Sequence, residues 1–451
     1  MTYSHRLARC IAPLSACSLT VVALAVAMTL AMSVSSACAQ TTSAQTASGP
    51  NGGEPIEFGP QDWPWWRGPG RDGVAKSEPA PPREFSATKN VIWTADIPGR
   101  GHGSACVVGD RVFVVAAEGE TESQSVICLD RATGKRRWQT EIHRGGFEKK
   151  GNAKTTLACC TPACDGRRVY VNFLNGGAVH ATALDLDGKQ LWQTKVTDFV
   201  IHQGFGASPA IYGPLVLIAA DNKGTGAIAA LERTTGKIVW KVDRPSVPNY
   251  TSPIILKVAG REQLLMTGCD LVTGLDPLTG KKLWETAGAT TECVTSTVTD
   301  GQLIFTSGGY PKNHLSAVRA DGSATIAWEN NARVYVPSML VRDGYLYAVL
   351  DAGVAMCWKC DTGKEMWKGR LGGTFSSSPV LVGDVIYAAN EAGRFYLFKA
   401  KPEAFELIGE NQLGDEAFAT PTICGGRIYQ RVAAQVNGKR QELLYCLGNQ
   451  P

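Results

Sequence analysis

The sequence predicts an all-β chain folded as an eight-bladed β-propeller of four-stranded antiparallel blades, closed by an N-terminal strand. Three observations carry that expectation. The stretch Leu129 to Trp138, LDRATGKRRW, recurs with variations at Leu184 to Trp192, Leu231 to Trp240, Leu275 to Trp284, Val318 to Trp328 and Trp358 to Trp367. Each copy closes a unit about 40–50 residues long, the size of one propeller blade. Unit starts number eight, near Ala105, Thr161, Ser208, Ser252, Ser296, Pro337, Ser378 and Thr420.

Within the repeat, Leu129 and Asp130 end a third strand, Thr133-Gly134 turn the chain, and Trp138 sits on the fourth strand. Gly134 supplies the backbone freedom that a tight turn needs. Trp93, Trp138, Trp192, Trp240, Trp284, Trp328 and Trp367 are read as structural, each wedged between its blade and a neighbour against such a turn. Upstream, Thr161-Pro162, Ser208-Pro209, Ser252-Pro253, Ser378-Pro379 and Thr420-Pro421 precede a short apolar first strand. A turn such as Asp343-Gly344 then leads into a second strand such as Tyr345 to Ala348. The last unit, 420–447, supplies three strands, and Val91-Ile92-Trp93-Thr94 is left over at the other end. Joining the two completes an eighth blade and removes an open edge. Seven blades is the competing count.

The first residues fall outside the repeat. Arg6 and Arg9 precede an apolar run from Leu19 to Met32, and Ala37-Cys38-Ala39 fits a cleavage site, so residues 1–39 read as a signal peptide. The alternative keeps Cys38 as a lipidated residue. Residues 40–60 are small, polar and rich in Gly and Pro, which makes them a flexible linker. Residues 61–90 form a Trp-rich arm that begins with Trp63-Pro64-Trp65-Trp66-Arg67-Gly68-Pro69. It is expected on the propeller's outer wall or base as an aromatic staple, with a ligand platform as the alternative. The propeller takes residues 91–451.

Composition agrees with this reading. The 49 glycines favour many tight turns, and 44 % hydrophobic content is ample for a large core. The net charge of +4 falls by two when Arg6 and Arg9 leave with the signal, so nothing points to nucleic acid. After the signal no stretch is long and apolar enough to span a membrane. Of the 14 Cys, three leave with the signal, and the odd, irregularly spaced remainder is not a disulfide framework. In strand contexts Cys acts as a small hydrophobe.

The repeat resembles the tryptophan-docking motif, A-x-D-x-x-T-G-K-x-x-W, of the quinoprotein dehydrogenase-like propellers. The resemblance covers residues 61 to 447, and Trp63 to Gly73 is similar to the W-P-x-W-R-G-P-x-x-D-G opening of secreted bacterial proteins with PQQ-binding-like repeats. It implies the eight-bladed fold. It also implies two kinds of relative: enzymes that use pyrroloquinoline quinone, and non-enzymatic proteins such as the outer-membrane assembly lipoprotein BamB.

Segments leading into the innermost strands lie near a propeller's axis, on the face that usually binds ligands. Together with the loops between second and third strands they bring His102, His202, Tyr250, Glu292, Arg333, Tyr335, Asp221, Asp351 and Glu391 to one funnel. Such a mixture suits a polar small molecule or peptide; the alternative is that these groups merely solvate a channel mouth. A quinone dehydrogenase requires a hard cation on carboxylate and amide oxygens, an Asp base and a flat aromatic partner. No compact set of the enzymes' calcium ligands can be matched. The resemblance gives Cys159-Cys160 a counterpart in the enzymes' vicinal disulfide, but sister repeats hold Ala207-Ser208 and Ser377-Ser378 there, small residues like these. The loop 147–154 reads as solvated and charged. His143, His180 and His314 lack metal-ligand spacing, and G-x-S-x-G and H-E-x-x-H are missing.

The expectation is an exported, monomeric binding or scaffold module, periplasmic or attached to the cell envelope, with secretion as the alternative, that is not an enzyme, with neither metal nor cofactor. Its partner would be a small polar ligand, a peptide or a protein. The first alternative is an alcohol or sugar dehydrogenase holding pyrroloquinoline quinone with Ca2+. The second is an outer-membrane β-barrel assembly factor that works by strand addition at a blade edge.

Overall fold

Trp192 shows how the repeats lock together. Its ring lies on Gly236 of the next blade, where an added Cβ would sit 2.5 Å from the indole. Its Nε1 donates to the Arg233 carbonyl at 3.0 Å. The same arrangement pairs Trp93 with Gly134 and Arg131 O, Trp138 with Gly188 and Leu186 O, and Trp328 with Gly363 and Cys360 O. Only glycine leaves room for the ring at that turn, and its positive φ (73° at Gly236) suits glycine as well. Trp284 departs from the pattern. The turn it faces carries Ala324 at φ 55° in place of glycine. Here Trp284 donates to Gln263 Oε1 at 2.6 Å, and Gln263 Nε2 in turn donates to the Ala320 carbonyl at 2.7 Å.

These contacts belong to a ring of eight blades in a computed structural model that describes residues 53–148 and 151–449. The blades span 106–144, 163–198, 210–244, 254–287, 298–330, 340–370, 380–412 and 422–448, and no helix occurs among the described residues. The expected signal peptide, Cys38 and residues 40–52 lie outside them. Second and third strands, such as Arg111–Glu118 and Ser123–Asp130, are buried along almost their whole length because a blade covers each face. Fourth strands are half exposed and strongly polar, as Arg136–Arg144 shows, which blunts the outer edges. Val91–Ile97 pairs antiparallel with Lys439–Gly448 and completes the eighth blade, so the leftover strand closes the ring as expected.

The Ser/Thr positions ahead of the inner strands also have a mechanical role. Their hydroxyls accept from backbone N–H groups one blade back: Ser104 N to Thr161, Thr161 N to Ser208, Ser208 N to Ser252, Ser296 N to Ser338, Ser338 N to Ser378 and Ser378 N to Thr420, all at 2.9–3.1 Å. The series is interrupted at Ser296, whose hydroxyl accepts from Trp66 Nε1 at 2.8 Å.

Trp66 belongs to the N-terminal arm, which does not lie on the outer wall. The arm crosses the base of the ring along the innermost strands. Trp63 exchanges backbone hydrogen bonds with Val107, and Pro64 accepts from Cys164 N. Arg71 donates to Ile211 O, and buried Arg67 donates to Met339 O and Pro379 O. Val74–Ala75 then pairs in parallel with Leu381 and Val382, a fifth strand for the seventh blade. Backbone and carbonyl edges that a bare ring would leave exposed at the axis receive partners this way. Ahead of the arm, Glu57 N donates to Asp165 O, and Glu54 and Glu57 pair with Arg168 and Arg167, so residues 54–57 lie against the second blade.

Candidate functional site

With its base covered by the arm, the central channel opens at the opposite face. The upper chamber is about 560 Å³, and below it lies a narrower one of about 210 Å³ whose floor includes Trp66. Cys159, Gly206, Tyr250, Val294, Val336 and Ser376 line both, so the two are continuous.

The upper chamber is organised around Glu292, only 4 % exposed. His202 Nε2 lies 3.1 Å from Glu292 Oε1, and Tyr335 donates its hydroxyl to Oε2 at 3.3 Å. The backbone explains the placement. Glu292 N and Tyr310 O form a bridge that holds the lead-in of the fifth blade against a loop of its own sheet. Tyr335 N donates to Asp351 Oδ2 at 2.8 Å, which fixes the next lead-in in turn. Burial, with the Glu292 charge added, raises both the Tyr250 and Tyr335 phenols above their ordinary value, so each hydroxyl stays protonated. The Tyr250 hydroxyl is buried beside the Gln203 backbone.

In the lower chamber the His102 ring stacks on Phe418 at 4.4 Å, and its buried Nε2 has no partner. Desolvation, reinforced by Arg431, Arg100 and Arg440, pushes the His102 imidazole down to about 3. His102 is therefore neutral at physiological pH. Thr161, Ser208, Ser252, Ser378 and Thr420 line the same chamber, so their hydroxyls both latch the blades and present oxygen to the channel.

Of the funnel residues expected from the sequence, His102, His202, Tyr250, Glu292 and Tyr335 line the channel. Glu391 sits at the rim, accepting from Ser376 Oγ at 2.6 Å and pairing with Lys154 at 2.7 Å. Asp351 acts through the Tyr335 backbone, and burial raises its carboxyl. Arg333 lies outside, its guanidinium 5.3 Å from the Tyr335 ring centroid. Asp221 does not join the funnel. It is buried between blades, bound to Arg244 and to Asn249 Nδ2 at 2.9 Å, because its loop folds back under Arg244 instead of forward to the mouth.

Sequence reasoning missed Lys154, Asn152, Tyr310 and Ser376. The loop carrying Lys154 is not merely solvated. Asn152 N donates to Gln203 O at 2.8 Å, and Lys154 reaches Glu391 of the seventh blade. The unusual length of the second unit was its available signal. All eleven cysteines in the described residues are free thiols, including Cys159 and Cys160. Cys159 faces the channel and Cys160 packs into an apolar cluster, as expected for a repeat's small-residue positions.

The donor set can be tested against a calcium-bound quinone. A calcium ion takes six to eight oxygens. Among the described residues no group of three or more His, Cys, Asp or Glu side chains converges on one point. Glu292 is the one carboxylate on the upper lining, and its oxygens meet His202 and Tyr335. These residues do not fit that pair.

Known proteins resemble this chain in sequence and in fold. The family described as outer membrane protein assembly factor BamB matches residues 84–142, 122–369 and 311–402. The chain is 30 % identical over 220 residues to the outer membrane protein assembly factor BamB of Burkholderia pseudomallei, covering 47 % of this chain and 50 % of that protein. It is 27 % identical over 223 residues to a polyvinylalcohol dehydrogenase of Sphingopyxis, covering 46 % of this chain and 32 % of that enzyme. The match thus spans half or less of these relatives' lengths. A europium-containing methanol dehydrogenase superposes with a TM-score of 0.62 at 13 % identity, covering 87 % of this chain and 99 % of that one, which shows the shared fold.

Proposed function

The chain belongs to the family described as outer membrane protein assembly factor BamB, and on that premise we propose that it is an exported, non-catalytic binding module of the cell envelope that takes a polar ligand into its axial channel. Its repeats relate it both to BamB and to quinoprotein dehydrogenases, so family membership alone does not decide between binding and catalysis. The carrying observation is the blind channel, open at one face and floored by Trp66, whose wall sets the buried Glu292 carboxylate among aromatic rings. A concave site with apolar walls and a few convergent polar groups suits a ligand. The misfit of the donor set to a calcium-bound quinone favours binding over dehydrogenation. Among the described residues no helix is long and apolar enough to cross a membrane, and the protein is taken to act as a monomer.

Calorimetric titration of the mature protein with neutral oligosaccharides, short peptides and amines tests this reading. Gly206 lines both chambers and has nothing within 4 Å of an added Cβ, so Gly206→Phe is chosen to place a ring in the channel. That variant is expected to keep its melting temperature and to weaken the best ligand at least tenfold. An affinity unchanged in Gly206→Phe overturns the channel as the site. Tight binding of pyrroloquinoline quinone that requires Ca2+ overturns the non-catalytic reading in favour of the dehydrogenase.

A further inference from the structure

Resting on that reading, the upper chamber also indicates what kind of ligand it takes. Among the described ion pairs Glu292 meets only His202, on one oxygen, with Nε2 3.1 Å from Oε1. The permanent cations nearby are engaged elsewhere. Lys154 is held by Glu391, and Arg333 donates to the Gly309 carbonyl at 3.0 Å. A carboxylate this buried is costly unless an opposite charge compensates it. Facing it are the rings of Tyr250, Tyr310, Tyr335 and Phe205. Tyr335 already receives one cation, the Arg333 guanidinium. Tyr310, 54 % exposed, stands at the chamber's mouth.

We infer that the upper chamber recognises an organic ammonium group, seated against Glu292 and among the tyrosine rings. Aromatic rings attract cations within about 6 Å of their centroids, and the attraction grows as water is excluded. The protonated Tyr250 hydroxyl adds no competing negative charge. A neutral ligand of the same shape gains no ion pair with Glu292, and an anion is repelled by its carboxylate. Asn152 and Gln203 at the mouth suit the polar remainder of the ligand.

Two probe series test this on the mature protein by calorimetry. Glucosamine, N-acetylglucosamine and glucose share one body and differ in charge. Cadaverine and its diacetylated form do the same for an aliphatic amine, and the two series distinguish an amino sugar from a polyamine as the source of the ammonium. The charged member of at least one series is expected to bind tenfold or more tighter than its neutral partners. Glu292→Gln should erase that difference while Tyr250→Phe, which keeps the ring, retains it. Tyr250→Leu should weaken the ammonium probe about tenfold, which keeps the proposal testable should the Glu292 variant fail to fold. Equal binding of charged and neutral members overturns the proposal, as does a preference that survives Glu292→Gln or a lack of binding by either amine. If neutral sugars bind as well as amines and Gly206→Phe blocks them, the channel remains the site and the ammonium specificity falls.

Discussion

His102 links the channel to stability. In the fold its imidazole is pushed from 6.5 down to about 3, first by desolvation and then by Arg431, Arg100 and Arg440. The unfolded chain therefore binds a proton between those values that the folded chain refuses, so stability falls as pH drops below about 6.5. At pH 5 this one group removes about 2 kcal/mol of the stability present at pH 8. His102→Gln lacks the titration. Denaturant midpoints measured for both proteins at pH 8 and pH 5 should show the variant losing less on acidification by about that amount. An equal acid loss in the two proteins would show that His102 is not buried as a neutral group.

At the scale of the element, the device is the Trp of one blade on the turn glycine of the next. Gly236→Ala places a Cβ 2.5 Å from Trp192 on a backbone with φ 73°, and should destabilise by about 1–3 kcal/mol, read as a lower denaturation midpoint. Ala324→Gly is the opposite case. The turn facing Trp284 already lives with a methyl group at φ 55°, so the change should be neutral or stabilising by up to about 1 kcal/mol. A destabilising Ala324→Gly would mean that the Gln263 relay depends on that methyl group. These docking contacts were legible in the sequence because they are periodic: one Trp and one Gly at fixed spacing, repeated until chance is excluded. The relay was not, since Gln263 lies outside the repeated device and its role appears only once Trp284 is displaced. Asp221 illustrates the same limit. Its position between strands correctly placed it in a loop, but whether a loop's carboxylate faces the axis or a neighbouring Arg244 is decided by packing across blades. The Lys154 loop erred the other way, since a charged stretch looks solvated until a partner 237 residues distant is brought beside it.

For the whole molecule, ring closure and channel closure are separate jobs done by neighbouring parts of one N-terminal segment. The clasp was legible because a lone Trp-bearing strand and a three-stranded last unit complement each other. The arm's position was legible only as wall or base, because three tryptophans announce burial without naming the surface that buries them. Val91–Ile97 joins the chain's two ends through six register pairs with Lys439–Gly448, whereas the arm lies over a base that the blades have already formed. Truncation separates the two. A chain beginning at residue 81 keeps the clasp, and is expected to remain a monomer of unchanged strand content with a lower melting temperature. Without the Trp66 floor its channel is open at both ends, so Cys159, which faces the channel among otherwise buried thiols, should react faster with a small alkylating reagent. A chain beginning at residue 99 also leaves the ten-residue strand Lys439–Gly448 as a bare edge, and should aggregate because unpaired N–H and C=O groups template further pairing. If both truncations behave alike, closure of the ring depends on the arm, and the blades cannot hold a channel for any ligand until the arm has been laid across them. If only the second fails, the propeller is complete without the arm, whose work is then to give the channel a single mouth.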